Sequence, residues 1–339
     1  MKKTAILITL VLAAGMLFAT GQAQGTGGAG AAGKPVELIY TLNAPGTDTQ
    51  GGGMRVFQET VERVSGGQIK VLCYDSASLF RQEQELAAVK SGQADIAVIS
   101  APWVTDASPW VSMFAAGYIF RDANHMNRVL NGEIGQQVFE RSLQDQGVRP
   151  LGAEYFGTRQ INMVEDKPIR TPADLRGVNL RMPNTDSWLF LGRALGANPT
   201  PISFAEIYMA LQTKAVDGQE NPLPTTKNSK WYEVTKSISI TNHIVDSVWI
   251  TINEAKWQSM TQQQKDWVME GVKANLQYCW DTNTQIESEA VQFFRDQGLK
   301  VYEADLEAFS KHVLDQYLNS DYAKTWDMDL FNRIQAMAN

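Results

Sequence analysis

The chain has 339 residues, of which 44% are hydrophobic and 20% charged, and 37 acidic residues outnumber 30 basic ones, for a formal net charge of −7. This acidic balance argues against nucleic acid or an anionic membrane surface as the main partner, because both attract basic proteins. The length exceeds the usual size of one hydrophobic core, so we expect two domains.

The first 23 residues have the features of a secretory signal peptide. Lys2 and Lys3 precede an almost wholly apolar run at positions 4–18, and small residues spaced for a signal peptidase follow. The apolar run is too short to span a bilayer stably, although an uncut anchor is the alternative. We therefore predict export to the periplasm. Cleavage would leave 28 basic against 37 acidic residues, a formal charge of −9.

Strand and helix patterns alternate beyond a predicted flexible, Gly/Ala-rich leader at 24–35. The segment VELIYTL (36–42) is typical of a strand, and apolar residues recur at helical spacing from Met54 to Val64. The apolar run ADIAVIS (94–100) is typical of a buried parallel strand. The alternation predicts an α/β fold with helix-covered, largely parallel sheets.

Two helix starts are marked by the capping-box pattern, in which side chains satisfy the free amide groups of the first turn. One pairs Ser203 with Glu206 and the other pairs Thr261 with Gln264. The second start opens a helical pattern that reaches about Phe294, a length of about 50 Å at about 1.5 Å per residue. A helix this long predicts a strut that joins two domains.

Motifs of the common enzyme classes are missing. The three histidines stand far apart, and H-E-x-x-H, C-x-x-C, G-x-S-x-G and S-x-x-K do not occur. We therefore predict no enzymatic activity, no cofactor and no bound metal. Cys73 and Cys279 are too few for a disulfide framework, and we expect two separate buried thiols, with a single disulfide as the alternative.

Two arginines are candidates for binding an acid. VNLRMP places Arg181 at the carboxyl end of a predicted strand, and Arg159 follows the apolar segment LGAEYF (151–156). Ligands of open α/β sheets bind at the carboxyl ends of strands, and a guanidinium pairs with a carboxylate through two parallel hydrogen bonds. The alternative for each is an ordinary solvated arginine.

Three further residues are candidates with open alternatives. Asn221, in VDGQENP, can donate and accept hydrogen bonds at an element boundary, or be a common turn asparagine. Phe204 opens a predicted helix, and Trp103 follows the buried strand at 94–100. Either ring can pack in a core or form the wall of a ligand site.

Four segments together resemble the solute receptors of TRAP transporters (tripartite ATP-independent periplasmic, DctP family), particularly the sialic-acid and sugar-acid type. Weaker likeness extends over nearly all of the chain beyond the leader. The segments read GTRQ (157–160), TPADLRGVNLRMPN (171–184), GANPTPISFAEIYMALQTKAVDGQENPL (196–223) and TNHIV (241–245).

The resemblance implies a hinged, two-domain periplasmic binding protein fold with a long helix spanning both domains. Domain I would comprise 36–156 plus 247–286, and domain II 157–246 plus 287–339. His243 would lie near the crossing between them, as a structural or a ligand-responsive residue.

The resemblance also implies a binding site. Arg181 would bind the ligand carboxylate, with Arg159 and Asn221 in support. Phe204 would form a wall of the site, and Asn43 would lie on the opposite wall, in the first domain.

The chain departs from the sialic-acid members in the first domain. Gln82 lies in a segment where the family usually carries glycine followed by polar and acidic residues. Ser100 and Trp103 stand where the sialic-acid members carry an acidic and a basic residue. Both losses speak against sialic acid itself, because buried polar groups of that ligand would lose their partners.

We therefore expect a receptor for a smaller sugar acid, such as an aldonate or uronate, that delivers its ligand to the small and large membrane subunits of a TRAP transporter. An aromatic or other apolar carboxylate stacked on Trp103 is one alternative, and an exported α/β enzyme acting on a sugar acid is another. A monomer is expected, since the two domains must open freely.

Overall fold

The computed structural model describes residues 34–338, in which nine strands join one mixed sheet flanked by helices. The predicted signal peptide and nearly all of the predicted leader lie outside the described residues. The strands are β1 (Val36–Thr41), β2 (Ile69–Tyr74), β3 (Ile96–Ser100), β4 (Val148–Met163), β5 (Asn179–Met182), β6 (Asn198–Pro201), β7 (Gly218–Pro222), β8 (Ser237–Asn253) and β9 (Lys300–Glu303).

Twelve helices accompany these strands within the described part of the chain. They are α1 (Thr49–Val64), α2 (Gln82–Ser91), α3 (Ser112–Ala115), α4 (Ala123–Leu130), α5 (Glu133–Gln146), α6 (Asp186–Ala194), α7 (Ile207–Gln212), α8 (Leu223–Asn228), α9 (Glu254–Ser259), α10 (Gln262–Asp296), α11 (Leu306–Leu318) and α12 (Met328–Ala336). Across residues 34–338, no helix combines the length and apolar character needed to cross a membrane.

The sheet has the strand order β2-β1-β3-β8-β4-β7-β5-β6, and β9 pairs with the start of β8. Strands β1 to β3 are mutually parallel, as are β5 to β7. The long strands β4 and β8 run antiparallel to each other; β8 also runs antiparallel to β3, and β4 also runs antiparallel to β7. The α/β prediction is confirmed, and five of the eight strand pairings are parallel. The two long central strands, which pair antiparallel, join both parallel sets into one mixed sheet.

The two parallel sets run in opposite directions, so their carboxyl ends meet over the middle of β8. The last residue of β3, Ser100, lies opposite Val248 of β8. The last residue of β7, Pro222, lies opposite Arg159 of β4, which in turn faces Ile244 of β8. We call the part built on β1–β3 the first lobe and the part built on β5–β7 the second lobe. The fold therefore creates a cleft between the lobes, where ligands of α/β sheets bind.

The long helix α10 is hydrogen-bonded to the central strand β4. Its 35 residues span about 50 Å, and Thr261 accepts from the Gln264 amide, as the capping box predicts. Halfway along, Asn283 donates to the Tyr155 carbonyl, and the carboxylate of Glu287 accepts from the Thr158 amide. Both contacts fall on β4, beside a register shift against β8 between residues 155 and 157. The predicted long helix is confirmed.

The predicted capping box at Ser203 is wrong. Ser203 makes no capping hydrogen bond, and residues 204–206 form a short 3-10 turn that precedes α7. The Ser203 hydroxyl instead donates to the carboxylate of Glu83, on the first lobe. A hydrogen bond across the cleft thus takes the place of the predicted capping hydrogen bond.

The two cysteines are separate thiols, as predicted. Cys279 is fully buried on α10, where its thiol lies 3.6 Å from the Thr49 carbonyl. Cys73 on β2 is only half-buried, contrary to the expectation that both would be buried.

Candidate functional site

A cavity of about 490 Å³, measured out to the open solvent at its mouth, lies in the cleft between the lobes. All eight residues that the sequence singled out line it: Asn43, Gln82, Ser100, Trp103, Arg159, Arg181, Phe204 and Asn221. Seven that it did not single out complete the lining: Gln50, Val98, Phe156, Pro183, Trp188, Asp246 and Val248.

Each lobe brings its residues to the cavity from strand ends and the loops that follow. In the second lobe, Arg181 and Asn221 are the penultimate residues of β5 and β7. In the first lobe, Ser100 ends β3, and Trp103 ends the short 3-10 turn after it. Arg159 differs from the prediction. It lies inside β4 rather than at a strand end, because this strand continues through the cleft to Met163.

Arg159 is a fully buried cation held by two carboxylates. Its Nε donates to Glu220 Oε2 at 2.5 Å, and its Nη2 donates to Glu220 Oε1 at 2.7 Å. Its Nη1 donates to Asp246 Oδ2 at 2.7 Å, and its guanidinium lies 4.5 Å from the ring centre of Trp188. Burial acts to lower the pKa of Arg159, but the charges of Glu220 and Asp246 outweigh it and raise that pKa above its usual value. Arg159 is thus neutralised by the protein itself.

His243 belongs to the same cluster and has partners on both sides of its ring. Nε2 lies 3.1 Å from Glu220 Oε2, and Nδ1 lies 2.8 Å from the Thr241 hydroxyl. The residue is fully buried. Burial acts to raise the pKa of Glu220, but Arg159 and His243 lower it to about 2. The carboxylate of Glu220 therefore stays ionised and committed to these two partners.

Arg181 is equally buried but has no carboxylate partner. Its Nε donates to the Ile202 carbonyl at 2.8 Å, while Nη2 is enclosed and makes no hydrogen bond. Burial lowers the pKa of this guanidinium, and the more distant charge of Glu220 only partly compensates. A side chain that is 1% exposed and lines the cavity is therefore a cation without a counter-ion. It can pair with an anionic ligand.

Asn221 is hydrogen-bonded at both ends of its amide. Its Oδ1 accepts from Arg159 Nη2 at 3.1 Å, and its Nδ2 donates to Gln219 at 2.7 Å. Phe204 packs edge-on against Trp231, with ring centres 5.6 Å apart, and presents its other side to the cavity. Both side chains are thus held in place by contacts within the second lobe.

The first-lobe wall is uncharged. Asn43 donates through Nδ2 to Glu85 Oε2 at 2.9 Å, and Glu85 itself is fully buried behind the wall. The indole N–H of Trp103 is enclosed without a hydrogen-bond partner. Gln50 and Gln82 add two amides to this wall. It therefore offers neutral hydrogen-bonding groups opposite Arg181.

Hydrogen bonds join the two lobes across the cleft at two places. At one, Ser203 donates to Glu83. At the other, the Ser187 hydroxyl donates to the Pro102 carbonyl at 3.2 Å. The structure therefore has the lobes together, with the cavity between them.

No sequence pattern indicated the groups that neutralise Arg159. Glu220 stands beside Asn221 in the G-Q-E-N-P segment, and Asp246 directly follows the TNHIV segment. Both are ordinary acidic residues until β7 and β8 come together on either side of β4. The pairing of strands distant in sequence, rather than any local pattern, creates the cluster. No group of His, Cys, Asp or Glu between residues 34 and 338 is arranged to hold a metal ion.

Three buried carboxyls in the first lobe predict a pH-dependent stability. Burial raises the pKa of Asp48 to about 6, that of Glu154 to about 7 and that of Glu85 to about 8. The folded protein then holds protons that the unfolded chain releases above about pH 4. We expect these groups to lower the free energy of unfolding between pH 5 and 8, by about 1.4 kcal/mol per pH unit for each extra proton held.

Urea unfolding at several pH values measures this effect. In the variant Glu154→Gln, the decline between pH 5 and 7 should be shallower than in the wild type. Parallel slopes for the two proteins would contradict a raised pKa at Glu154.

Comparison with known proteins adds a family to this geometry. The family model described as bacterial extracellular solute-binding protein, family 7 (DctP), matches residues 41–324. The sialic acid-binding periplasmic protein SiaP of Vibrio cholerae is 35% identical over 271 residues, covering 79% of this chain and 83% of its own.

Solved structures share the fold. A TRAP periplasmic solute-binding protein from Roseobacter denitrificans, with bound 3-deoxy-D-manno-oct-2-ulosonic acid, superposes with a TM-score of 0.86 at 37% identity, covering 90% of this chain and all of that one. Another from a Sulfitobacter species, with bound β-D-galacturonate, has a TM-score of 0.81 at 25% identity, covering 88% of this chain and 99% of that one.

Proposed function

We propose that this chain, which belongs to bacterial extracellular solute-binding protein family 7, captures a hydroxylated sugar acid by its carboxylate. The chain is the receptor of a TRAP transporter, working outside the cytoplasm and delivering its ligand to the membrane subunits. The family and its solved relatives are solute-binding proteins. An exported enzyme, the alternative that the sequence left open, is therefore not favoured.

One observation carries the choice of a carboxylate. Arg181 is a buried guanidinium with no counter-ion, on the wall of an enclosed cavity. A buried charge without a partner costs several kcal/mol, so the site is prepared for an anion. A planar fork of N–H groups matches the two oxygens of a carboxylate.

The remaining wall supports a hydroxylated ligand. Asn43, Gln50, Gln82 and Ser100 offer donors and acceptors that suit sugar hydroxyls. The relatives with 3-deoxy-D-manno-oct-2-ulosonic acid and galacturonate support the same class of ligand. Trp103 provides an apolar face as well, so an aromatic carboxylate remains the second candidate.

We propose that binding proceeds by closure of the lobes. Arg181, Asn221 and Phe204 would receive the ligand in the open protein. On the predicted boundaries, domain I (36–156 plus 247–286) then closes on domain II (157–246 plus 287–339). The ligand stabilises the closed form by its additional contacts there.

A thermal-shift screen of the purified protein, unfolded and refolded to remove co-purified ligand, tests the proposal. A ligand that binds only the folded state raises the free energy of unfolding, by about 2.7 kcal/mol at a hundred times its dissociation constant. We expect stabilisation by one or more of D-gluconate, D-galactonate, D-galacturonate and 3-deoxy-D-manno-oct-2-ulosonate, and no effect of benzoate or phenylacetate.

N-acetylneuraminate is included in the same screen. We expect no stabilisation by it, because the first-lobe wall lacks the charged pair expected for that ligand. Stabilisation by aromatic acids alone would favour the second candidate instead. Recovery of an altered ligand after long incubation would contradict the receptor function.

A further inference from the structure

We infer that Glu85, which does not line the cavity, orients the amide of Asn43 so that the first-lobe wall accepts a ligand hydroxyl and rejects a second carboxylate. The inference rests on the proposed function and narrows it to singly charged, hydroxylated acids. Glu85 is a positioning residue in this arrangement, since it would act on the ligand only through Asn43.

The contact between Glu85 and Asn43 determines which end of the amide meets the ligand. Asn43 Nδ2 donates to Glu85 Oε2 at 2.9 Å, and Glu85 is fully buried beneath the cavity wall. With its nitrogen turned toward Glu85, the amide has its carbonyl Oδ1 left for the cavity that Asn43 lines. A carbonyl accepts from a hydroxyl and has no proton to offer a carboxylate.

The charges around the cavity also disfavour a second carboxylate on the ligand. Arg159 is neutralised by Glu220 and Asp246, so Arg181 is the cation left for a ligand among the cavity residues described. The first-lobe part of the lining carries no charge. It consists of Asn43, Gln50, Gln82, Val98, Ser100 and Trp103. A second carboxylate on the ligand would be buried there without a counter-ion.

Other acidic groups of the first lobe oppose a second carboxylate as well. Asp48 caps the first turn of α1 by accepting from the Gln50 amide, so the positive end of that helix is already occupied by a carboxyl group. Glu83, next to Asn43 at the cavity mouth, receives the Ser203 hydroxyl. A ligand that ends in a hydroxyl avoids all of these unfavourable encounters.

Matched pairs of acids that differ only at the far end test the inference. The probes are D-gluconate with D-glucarate and D-galactonate with galactarate, measured by isothermal titration calorimetry on the stripped wild-type protein. We expect the singly charged member of a pair to bind at least about thirtyfold more tightly than the doubly charged one.

Glu85→Gln, measured above the raised pKa of Glu85 (about 8), separates orientation from stability, because the ionised carboxylate can only accept, whereas glutamine of the same shape can turn either a donor or an acceptor toward Asn43. The variant should retain a cooperative thermal transition. It should bind the singly charged acid no more than about threefold more tightly than the doubly charged one, a loss of preference typical of removing one oriented hydrogen bond. Glu154→Gln is the matched control. It also removes a buried carboxyl of the same region, one whose side chain is hydrogen-bonded to Asn275, which does not line the cavity.

A combination with Asn43→Ala shows whether Glu85 acts through Asn43. Asn43→Ala alone should reduce the preference for the singly charged acid. Adding Glu85→Gln should reduce it no further, since the effects of substituting two residues that act as one unit are not additive. An unchanged preference in folded Glu85→Gln, an equal effect of Glu154→Gln, or additive effects would each overturn the positioning role. Equal binding of both members by the wild type overturns the inference but leaves the proposed function standing. If no member of either pair binds, the inference fails, and the proposed function is then decided by D-galacturonate and 3-deoxy-D-manno-oct-2-ulosonate in the thermal-shift screen.

Discussion

Replacing Arg181 with methionine is expected to weaken ligand binding by at least about thirtyfold without destabilising the empty protein. Removing one partner of a buried, hydrogen-bonded charge pair costs about 2–5 kcal/mol of binding free energy. In the empty protein, however, this guanidinium is buried without a carboxylate, and burial lowers its pKa. An apolar side chain of similar length removes that cost, so the melting temperature should stay the same or rise.

Titration calorimetry with the tightest ligand of the screen measures the first effect, and scanning calorimetry of stripped protein measures the second. Arg181→Lys is the matched variant that keeps the charge. It should also bind weakly, because an ammonium cannot reproduce the planar pair of hydrogen bonds. An unchanged dissociation constant in either variant would show that the carboxylate binds elsewhere.

Replacing Arg159 with methionine is expected to have the opposite effect on stability. Asp246 would be left buried without its ion-pair partner, and Glu220 would keep only His243. Breaking a buried pair in this way costs about 3–5 kcal/mol of folding free energy. The melting temperature of Arg159→Met should therefore fall well below that of Arg181→Met.

Urea unfolding of the two variants side by side provides the comparison, since both exchange a fully buried arginine for the same side chain. A triple variant that also carries Glu220→Gln and Asp246→Asn should regain part of the loss, because amides are less costly to bury than carboxylates. Equal stability of Arg159→Met and the wild type would contradict the structural role of this cluster.

Local sequence patterns were sufficient for the helices and strands but not for how the sheet is assembled. Alternating apolar residues and the Thr261 capping box predict elements that the structure confirms, because such signals act within one turn or strand. The antiparallel course of β4 and β8 depends on partners nearly a hundred residues apart. The capping box at Ser203 failed for a related reason, since Glu83 lies 120 residues away.

The candidate site, like the fold, was predictable from local sequence only in part. Family-like segments identified Arg159, Arg181 and Asn221, and all three line the cavity. Their different electrostatic situations could not be read from those segments. Whether an arginine has a counter-ion is decided by Glu220 and Asp246, which arrive from two other strands. Tertiary structure thus distinguishes a guanidinium that holds the fold from one that is free to bind.

The passage of β4, β8 and α10 through both halves of the molecule has a consequence for how such receptors diversify. An exchange of one lobe between two relatives by recombination would need breakpoints inside all three elements, in hydrogen-bonded backbone rather than in loops. Hybrids of this kind would break the pairing that joins the lobes. Single substitutions on the first-lobe wall, at positions such as Ser100 or Trp103, leave those elements intact. New ligand preferences are therefore accessible by point mutation along a lineage, while the shared frame is inherited whole.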